Sequence, residues 1–157
     1  MQNTNNNTQT LCVELSSEQF FKLQEITNDL VDKFTPDNLK IGIFHFLTGW
    51  IGDDNLENLS SKERQDIFKF FIEITSHYEF CHSLYVKREN LAYGVESFYF
   101  IFELGLKKAK KYFKETMKAF LFSTLANDKP LRSDVLYYLE VIEDYVKKVQ
   151  LIKTQNH

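Results

Sequence analysis

The chain has 157 residues, of which 43% are hydrophobic and 26% charged, and its formal net charge is −3. This length and composition predict one globular domain with a sizeable core. The negative total charge supplies no global field that would attract nucleic acid, so we expect no nucleic-acid partner. With Phe 15 and Tyr 8 against Gly 5 and Pro 2, the composition favours helices and an aromatic interior over a fold of many turns.

The first residues predict neither a targeting signal nor a membrane segment. Residues 1–12 are rich in Asn, Thr and Gln, so we expect a disordered tail followed by a single helical domain at residues 13–157. The tail lacks the basic start and apolar run of a signal peptide, and no stretch reaches the roughly 20 apolar residues that span a bilayer. Cys12 and Cys81 lie in such different segments that a structural disulfide is not expected. These features predict a cytoplasmic protein without a membrane span.

Helix-start signals and apolar spacing predict the first two helices. Ser16 or Ser17 begins the first helix, in which apolar residues recur at helical spacing. Thr35 followed by Pro36 begins the second helix, which we expect to stop at Gly52.

The middle of the chain predicts one long helix followed by a buried one. The capping-box signature Ser60-Ser61-Lys62-Glu63 begins a third helix, which either breaks near Ser76 or runs on to Lys87. Asn90 caps a fourth helix, from Leu91 to about Leu106. This segment is apolar nearly all round, which is typical of a buried helix. We therefore expect it at the centre of the fold.

Two amphipathic helices complete the predicted fold. The fifth, Lys107 to Ala126, has a lysine face, and Ser133 caps the last helix. On that last helix Glu143 and Lys147 form a favourable pair spaced by four residues. The sequence therefore predicts an all-α domain of six or seven helices.

No catalytic constellation can be assembled from these residues. Glu73, His77 and Cys81 are spaced four apart on one helical face, but a zinc site needs further ligands, and no CxxC or HExxH pattern supplies them. Cys81 and His82 point about 100° apart on a helix, so they cannot act as nucleophile and base. We therefore predict that the protein is not an enzyme and holds no metal ion.

Two charged segments have both a functional and a structural interpretation. Asp53 begins an acidic stretch that lacks the glycine and glutamate positions of an EF-hand loop. The lysine-rich stretch 107–118 could hold phosphate or an anionic head group, although an exposed helix face is the commoner explanation. No nucleic-acid-binding motif accompanies it.

One segment resembles a known family. His82 lies on the apolar stripe of the third helix, and the segment from His82 to Phe98, with Tyr93 and Gly94, resembles the junction of bacterial globin-coupled sensors. In those proteins a proximal histidine precedes the long central helix. The chain is closest in length and layout to the stand-alone, non-haem globin sensor domains of sporulating bacilli. This resemblance implies a globin-like arrangement with a buried central helix; an up-down helical bundle is the alternative.

The resemblance also implies a function. The family is thought to bind a fatty acid and a small anion, and to inhibit sporulation by competing for the signal of a sensor histidine kinase. We therefore expect a non-catalytic, homodimeric sensor domain that binds a fatty-acid-like molecule in an aromatic interior and has no cofactor other than this ligand or a small anion. The candidate pocket residues are Phe46, Phe71, Tyr78, His82, Phe98, Phe102 and Phe120.

Two alternatives to this function remain open. The first is a haem-binding, globin-like gas sensor that uses His82. The second is a helical protein–protein interaction module without a ligand, in which His82 is a core residue.

Overall fold

The computed structural model describes residues 15–51, 59–122 and 124–154, so the predicted disordered tail and the acidic stretch at Asp53 lie outside the described residues. The described residues form six α-helices and two 3₁₀ helices: α1 (Ser17–Val31), α2 (Pro36–Ile51), α3 (Ser61–Val86), a 3₁₀ helix (Leu91–Phe98), α4 (Tyr99–Leu104), α5 (Leu106–Phe122), a 3₁₀ helix (Thr124–Asn127) and α6 (Lys129–Thr154). The prediction of an all-α fold with six or seven helices is confirmed. No described helix is long and apolar enough to cross a membrane.

Capping boxes fix the first turns of α1 and α3. Ser16 Oγ accepts a hydrogen bond from the backbone N–H of Gln19 at 3.2 Å, and Gln19 Oε1 accepts one from the N–H of Ser16 at 2.8 Å. Ser60 and Glu63 make the same reciprocal pair, at 3.1 and 2.9 Å. Each box satisfies backbone donors that the helix itself leaves unpaired. Both predicted starts are confirmed.

The C-terminus of α3 is a Schellman motif. The N–H of Glu89 donates to the carbonyl of Leu84 at 2.9 Å, and the N–H of Arg88 donates to that of Tyr85 at 3.0 Å. Arg88 takes a φ of 55°, the left-handed conformation this motif requires. The helix is continuous over Ser61–Val86, so the second of the two predicted alternatives is correct.

The expectation of one continuous helix from Leu91 to Leu106 is wrong. The segment is a 3₁₀ helix over Leu91–Phe98 and a short α-helix over Tyr99–Leu104. Gly105, with φ 77° and ψ 148°, then separates it from α5. Only glycine adopts that conformation without strain, so the chain turns there instead of continuing as a helix. Phe98, Ile101 and Phe102 are buried, but Tyr99 and Phe100 are only half-buried.

The helix that packs against most of the others is α6, and not the segment after Asn90. It contacts α1, α2, α4, α5 and the second 3₁₀ helix. Its start differs from the expectation as well, because Asp128 Oδ1, and not Ser133, accepts a hydrogen bond from the N–H of Leu131 at 3.2 Å. The predicted Glu143–Lys147 pair is present at 2.6 Å.

The crossing of α2 and α6 depends on a glycine. A Cβ atom added to Gly42 would lie 2.3 Å from Cδ2 of Tyr138, far inside van der Waals contact. The absence of a side chain at Gly42 therefore allows the Tyr138 ring to pack directly on the backbone of α2.

Candidate functional site

The aromatic residues predicted to line a pocket form much of the hydrophobic core. Six of the seven are buried: Phe46, Phe71, Tyr78, Phe98, Phe102 and Phe120. The seventh, His82, is half-buried. The residues chosen from the sequence are thus mainly interior residues.

The structure brings several of these rings into contact with one another. The ring centroid of Phe46 lies 4.9 Å from that of Phe71 and 6.2 Å from that of Phe120, and Phe98 stacks with Phe102 at 6.4 Å. Offset and edge-to-face pairs at these distances are favourable packing contacts. None of the seven predicted residues lines the surface pocket between α2 and α3 or the two between α1 and α6. In the structure their role is to fill the interior.

The fully buried histidine of α3 is His77. Its exposed fraction is 3%, whereas His82 is half-buried with its ring stacked on Tyr78 at 6.3 Å. The His77 ring makes an edge contact with Phe98 at 4.5 Å. His77, which the sequence suggested only as part of a rejected metal site, is therefore the histidine at the centre of the fold.

His77 belongs to a hydrogen-bonded chain that joins four elements. Its Nδ1 lies 3.1 Å from Oγ of Ser97 on the first 3₁₀ helix, and its Nε2 lies 2.8 Å from the phenol oxygen of Tyr145 on α6. That phenol lies 3.3 Å from Oγ1 of Thr27 on α1, which in turn donates to the carbonyl of Leu23 at 2.7 Å.

The direction of each hydrogen bond in this chain follows from counting protons. Thr27 has a single hydroxyl proton, which it donates to Leu23, so Tyr145 must donate to Thr27. The Tyr145 proton is then used, so Nε2–H of His77 donates to the phenol oxygen. A neutral imidazole carries no second N–H, and Nδ1 therefore accepts from Ser97. This assignment makes all four contacts of the chain hydrogen bonds: Ser97–His77, His77–Tyr145, Tyr145–Thr27 and Thr27–Leu23.

Burial keeps each titratable member of the group uncharged at neutral pH. Burial lowers the pKa of His77 to about 3, and it raises the pKa of Tyr145 well above its ordinary value. The thiol of Cys81, 3.6 Å from Nε2 of His77, has its pKa raised by burial to about 12. The group is therefore a neutral hydrogen-bonded network in the buried interior.

This network lacks the properties of a catalytic centre. Ser97 and His77 are within hydrogen-bond reach, as a nucleophile and a base would be, but an imidazole with a pKa near 3 is a weak base for a serine hydroxyl. Cys81 is 1% exposed and its raised pKa disfavours the reactive thiolate. The network instead fixes the relative positions of α1, α3 and α6.

The helical face of Glu73, His77 and Cys81 does not form a ligand set. Glu73 pairs with Lys69 at 3.7 Å, and His77 uses both ring nitrogens within the network. Among the described residues no three His, Cys, Asp or Glu side chains are grouped so as to hold a metal ion.

A large apolar concavity lies between α2 and α3. This α2–α3 groove has a volume of about 550 Å³. Its floor contains the buried Ile43 and Leu47, and its walls contain Phe44, Phe68 and Ile72, which are 67%, 40% and 46% exposed. Pockets for small molecules span about 300–1,000 Å³ and are lined mostly by apolar side chains. The groove has the size and the wall chemistry of such a pocket.

One end of the α2–α3 groove is polar. Lys40 and Glu79 form an ion pair there, beside Ser76 and the hydroxyl of Thr75, which donates to the carbonyl of Phe71 at 2.8 Å. The hydrogen bond to Glu79 raises the pKa of Lys40, so its ammonium is charged at neutral pH. The groove is therefore amphipathic along its length, with the Lys40–Glu79 ion pair at one end and aromatic walls beyond it.

Two smaller pockets lie between α1 and α6. They have volumes of about 200 and 330 Å³, and more than half of the residues that line each of them are charged. They lack the continuous apolar wall of the α2–α3 groove, which is the better candidate for an apolar ligand.

Comparison of the chain with models of protein families, with characterised proteins and with solved structures identifies no match. The resemblance of the segment from His82 to Phe98 to globin sensor domains therefore stays a prediction from the sequence.

The groove residues could have been noticed in the sequence. Phe44, Phe68 and Ile72 lie off the buried stripes of their helices, and apolar side chains in such positions indicate a surface that contacts something else. This sequence pattern identifies individual exposed apolar residues on α2 and on α3. It does not show that the helices bring them to the same groove.

Proposed function

We propose that this chain is a non-catalytic regulatory domain that binds a fatty-acid-like molecule in the α2–α3 groove. The observation that carries the proposal is the combination of an aromatic-walled groove with a lysine at one end. An amphiphile with one carboxylate and one alkyl chain matches that arrangement. The ligand class is the one implied by the resemblance to globin sensor domains, but the proposed site is the surface groove and not the core.

The walls of the groove provide the apolar contribution to binding. Phe44, Phe68 and Ile72 expose large apolar surfaces to water on one continuous concave face. Covering apolar surface contributes about 25 cal/mol per Å² removed from water. An alkyl chain lying along the groove would cover these three side chains at once, which is the source of the affinity we expect.

The polar end of the groove would determine the orientation of the bound ligand. The side chain of Lys40 is 52% exposed, so its ammonium can contact a ligand carboxylate while it stays near Glu79. Because Glu79 already neutralises part of this charge, the contribution of Lys40 to the affinity is expected to be modest. Lys40 should therefore decide which head group is preferred, and the apolar walls should decide the overall affinity.

A titration with a fluorescent long-chain fatty acid tests the proposal. Ile72→Glu places a charge in the groove and should weaken binding about tenfold or more. Phe21→Glu is the matched control, because Phe21 is 71% exposed on α1 and does not line the groove. Saturable binding that Ile72→Glu weakens and Phe21→Glu leaves unchanged supports the site. Binding unaffected by Ile72→Glu places the ligand elsewhere.

The head-group preference is tested with Lys40→Met. The unmodified chain should bind a fatty acid more tightly than the fatty alcohol of the same length, and Lys40→Met should remove that difference while it retains the alcohol affinity. A preference for the acid that persists in Lys40→Met would contradict the assigned orientation.

The regulatory part of the proposal rests on the resemblance of the segment from His82 to Phe98. Competition with a sensor histidine kinase for a shared ligand and formation of a homodimer are both implied by that resemblance. A domain that sequesters an acyl ligand without chemistry would act in this way. Sedimentation of the chain with and without a fatty acid tests the dimer directly.

A further inference from the structure

The exposed face of α5 carries a concentrated positive charge. Five lysines lie on this α5 lysine face: Lys107, Lys110, Lys111, Lys114 and Lys118, all exposed. At 3.6 residues per turn they fall within an arc of about 100°. The opposite face is buried against the rest of the domain through Ala109, Tyr112, Phe113, Thr116, Ala119 and Phe120.

Few carboxylates offset this charge. Lys111 pairs with Glu63 at 2.7 Å, and Glu115 is close enough to contribute to the raised pKa of Lys111. Within the described part of the chain, the other four lysines of the face are not in ion pairs. A chain of net charge −3 thus presents one strongly positive surface.

Two large apolar side chains extend the same face. Leu121 and Phe122 are 48% and 69% exposed at the C-terminal end of α5. Helical geometry places both within about 120° of arc together with the lysines. At a membrane interface lysines are attracted to anionic head groups, and leucine and phenylalanine enter the acyl boundary; this surface presents both kinds of side chain.

We propose that the α5 lysine face, with Leu121 and Phe122, docks the domain peripherally on an anionic phospholipid surface. The lysines would contact phosphate and carboxylate head groups along roughly 17 Å of the helix, and Leu121 and Phe122 would enter the boundary of the acyl chains. A nucleic acid would use the lysines but would leave the exposed Leu121 without an apolar partner. The proposal uses no residue of the α2–α3 groove and stands independently of the proposed function.

Co-sedimentation of the full chain with phosphatidylcholine vesicles, with and without phosphatidylserine, tests this surface. We expect binding at low salt that requires phosphatidylserine and is lost at high salt. Lys110→Glu/Lys114→Glu should lower the partition coefficient by about tenfold or more, since each basic residue near the surface contributes about fivefold. The control Lys33→Glu/Lys87→Glu changes the net charge equally at two exposed lysines outside α5 and should bind like the unmodified chain.

A second variant separates apolar insertion from charge. Phe122→Ser should lower partitioning about fivefold while it retains the requirement for phosphatidylserine. Thermal melts of each variant report whether it is folded.

The proposal is overturned by equal binding to both vesicle types, by absence of binding at low salt, or by equal effects of the two double variants. Binding of single-stranded RNA through the same lysines, without vesicle binding, would likewise overturn it. The Ile72→Glu variant should bind vesicles normally even if it has lost the fatty acid.

Discussion

Nε2 of His77 lies 2.8 Å from the phenol oxygen of Tyr145, and this hydrogen bond joins α3 to α6 inside the core. The two residues are separated by 68 positions in the sequence. Through Thr27 and Ser97 the same chain of hydrogen bonds extends to α1 and to the first 3₁₀ helix. Buried polar groups cost free energy unless they are paired, so this network should specify one arrangement of these helices.

We expect the stability of the domain to fall in mild acid because of His77. Its pKa is about 3 in the folded chain and near the ordinary 6.5 when unfolded. Between those values the unfolded chain binds more protons, so the free energy of unfolding decreases as pH falls, by up to about 1.4 kcal/mol per pH unit.

Urea unfolding at a series of pH values from about 6.5 down to 5 measures this slope in a range where most carboxyl groups stay ionised. His77→Asn removes the titrating group and should flatten the dependence, whatever its effect on absolute stability. A slope that is the same in His77→Asn would assign the acid sensitivity to other groups.

Tyr145→Phe should destabilise the domain by about 1–3 kcal/mol. The change removes one hydroxyl and leaves Nε2–H of the buried His77 without its acceptor. Tyr137→Phe on the same helix is the control, since Tyr137 is 48% exposed, and its effect should stay within about 0.5 kcal/mol. Equal midpoints for the two variants in urea unfolding would show that the buried phenol does not contribute to the stability of the domain.

Gly42→Ala should be destabilising even though alanine is the better helix former. The new Cβ would lie 2.3 Å from the Tyr138 ring, and we expect a loss of about 1–3 kcal/mol from overpacking. In a Tyr138→Ala background the clash is absent, so the same change should become neutral or stabilising by up to about 1 kcal/mol. A double-mutant cycle on thermal unfolding measures the coupling. Additive effects of the two changes on stability would mean that Gly42 and Tyr138 are not in contact.

Arg88→Gly should stabilise the domain by about 1 kcal/mol. Arg88 has a φ of 55°, a conformation that costs a residue with a side chain about 1–2 kcal/mol and costs glycine nothing comparable. Lys87→Gly, one residue earlier at a φ of −78°, is the matched control and should be neutral or destabilising. If Arg88→Gly lowered the unfolding midpoint, the left-handed C-terminus of α3 would be in doubt.

The starts of α1 and α3 are predictable because their determinants are local. Ser60 and Glu63 are three residues apart and satisfy each other's backbone donors whatever the rest of the chain does. The start of α6 was misjudged because Ser133 and Asp128 are both good capping residues, and the sequence does not rank them. The segment after Asn90 was misjudged because an apolar run indicates burial without indicating the type of helix.

The hydrogen-bonded network around His77 could not be predicted from the sequence, for a different reason. His77 and His82 both lie near the apolar stripe of α3, and α1, α2 and the first 3₁₀ helix all pack on that helix, which makes its buried face wide. Only the position of Tyr145, on the last helix, decides which histidine is bonded in the core. The α2–α3 groove likewise depends on how two helices pair, and no single-helix pattern contains that information.

We propose that the acyl ligand binds in the α2–α3 groove and not among the rings of the aromatic core. Labelling of the chain by a photoreactive fatty acid, followed by mass spectrometric mapping of the modified residues, distinguishes the two locations. We expect saturable labelling on α2 and α3 at wall residues such as Phe44, Phe68 and Ile72, prevented by excess unlabelled fatty acid. Labelling that maps to the core rings Phe98 and Phe102, or that excess fatty acid does not reduce, would contradict this claim.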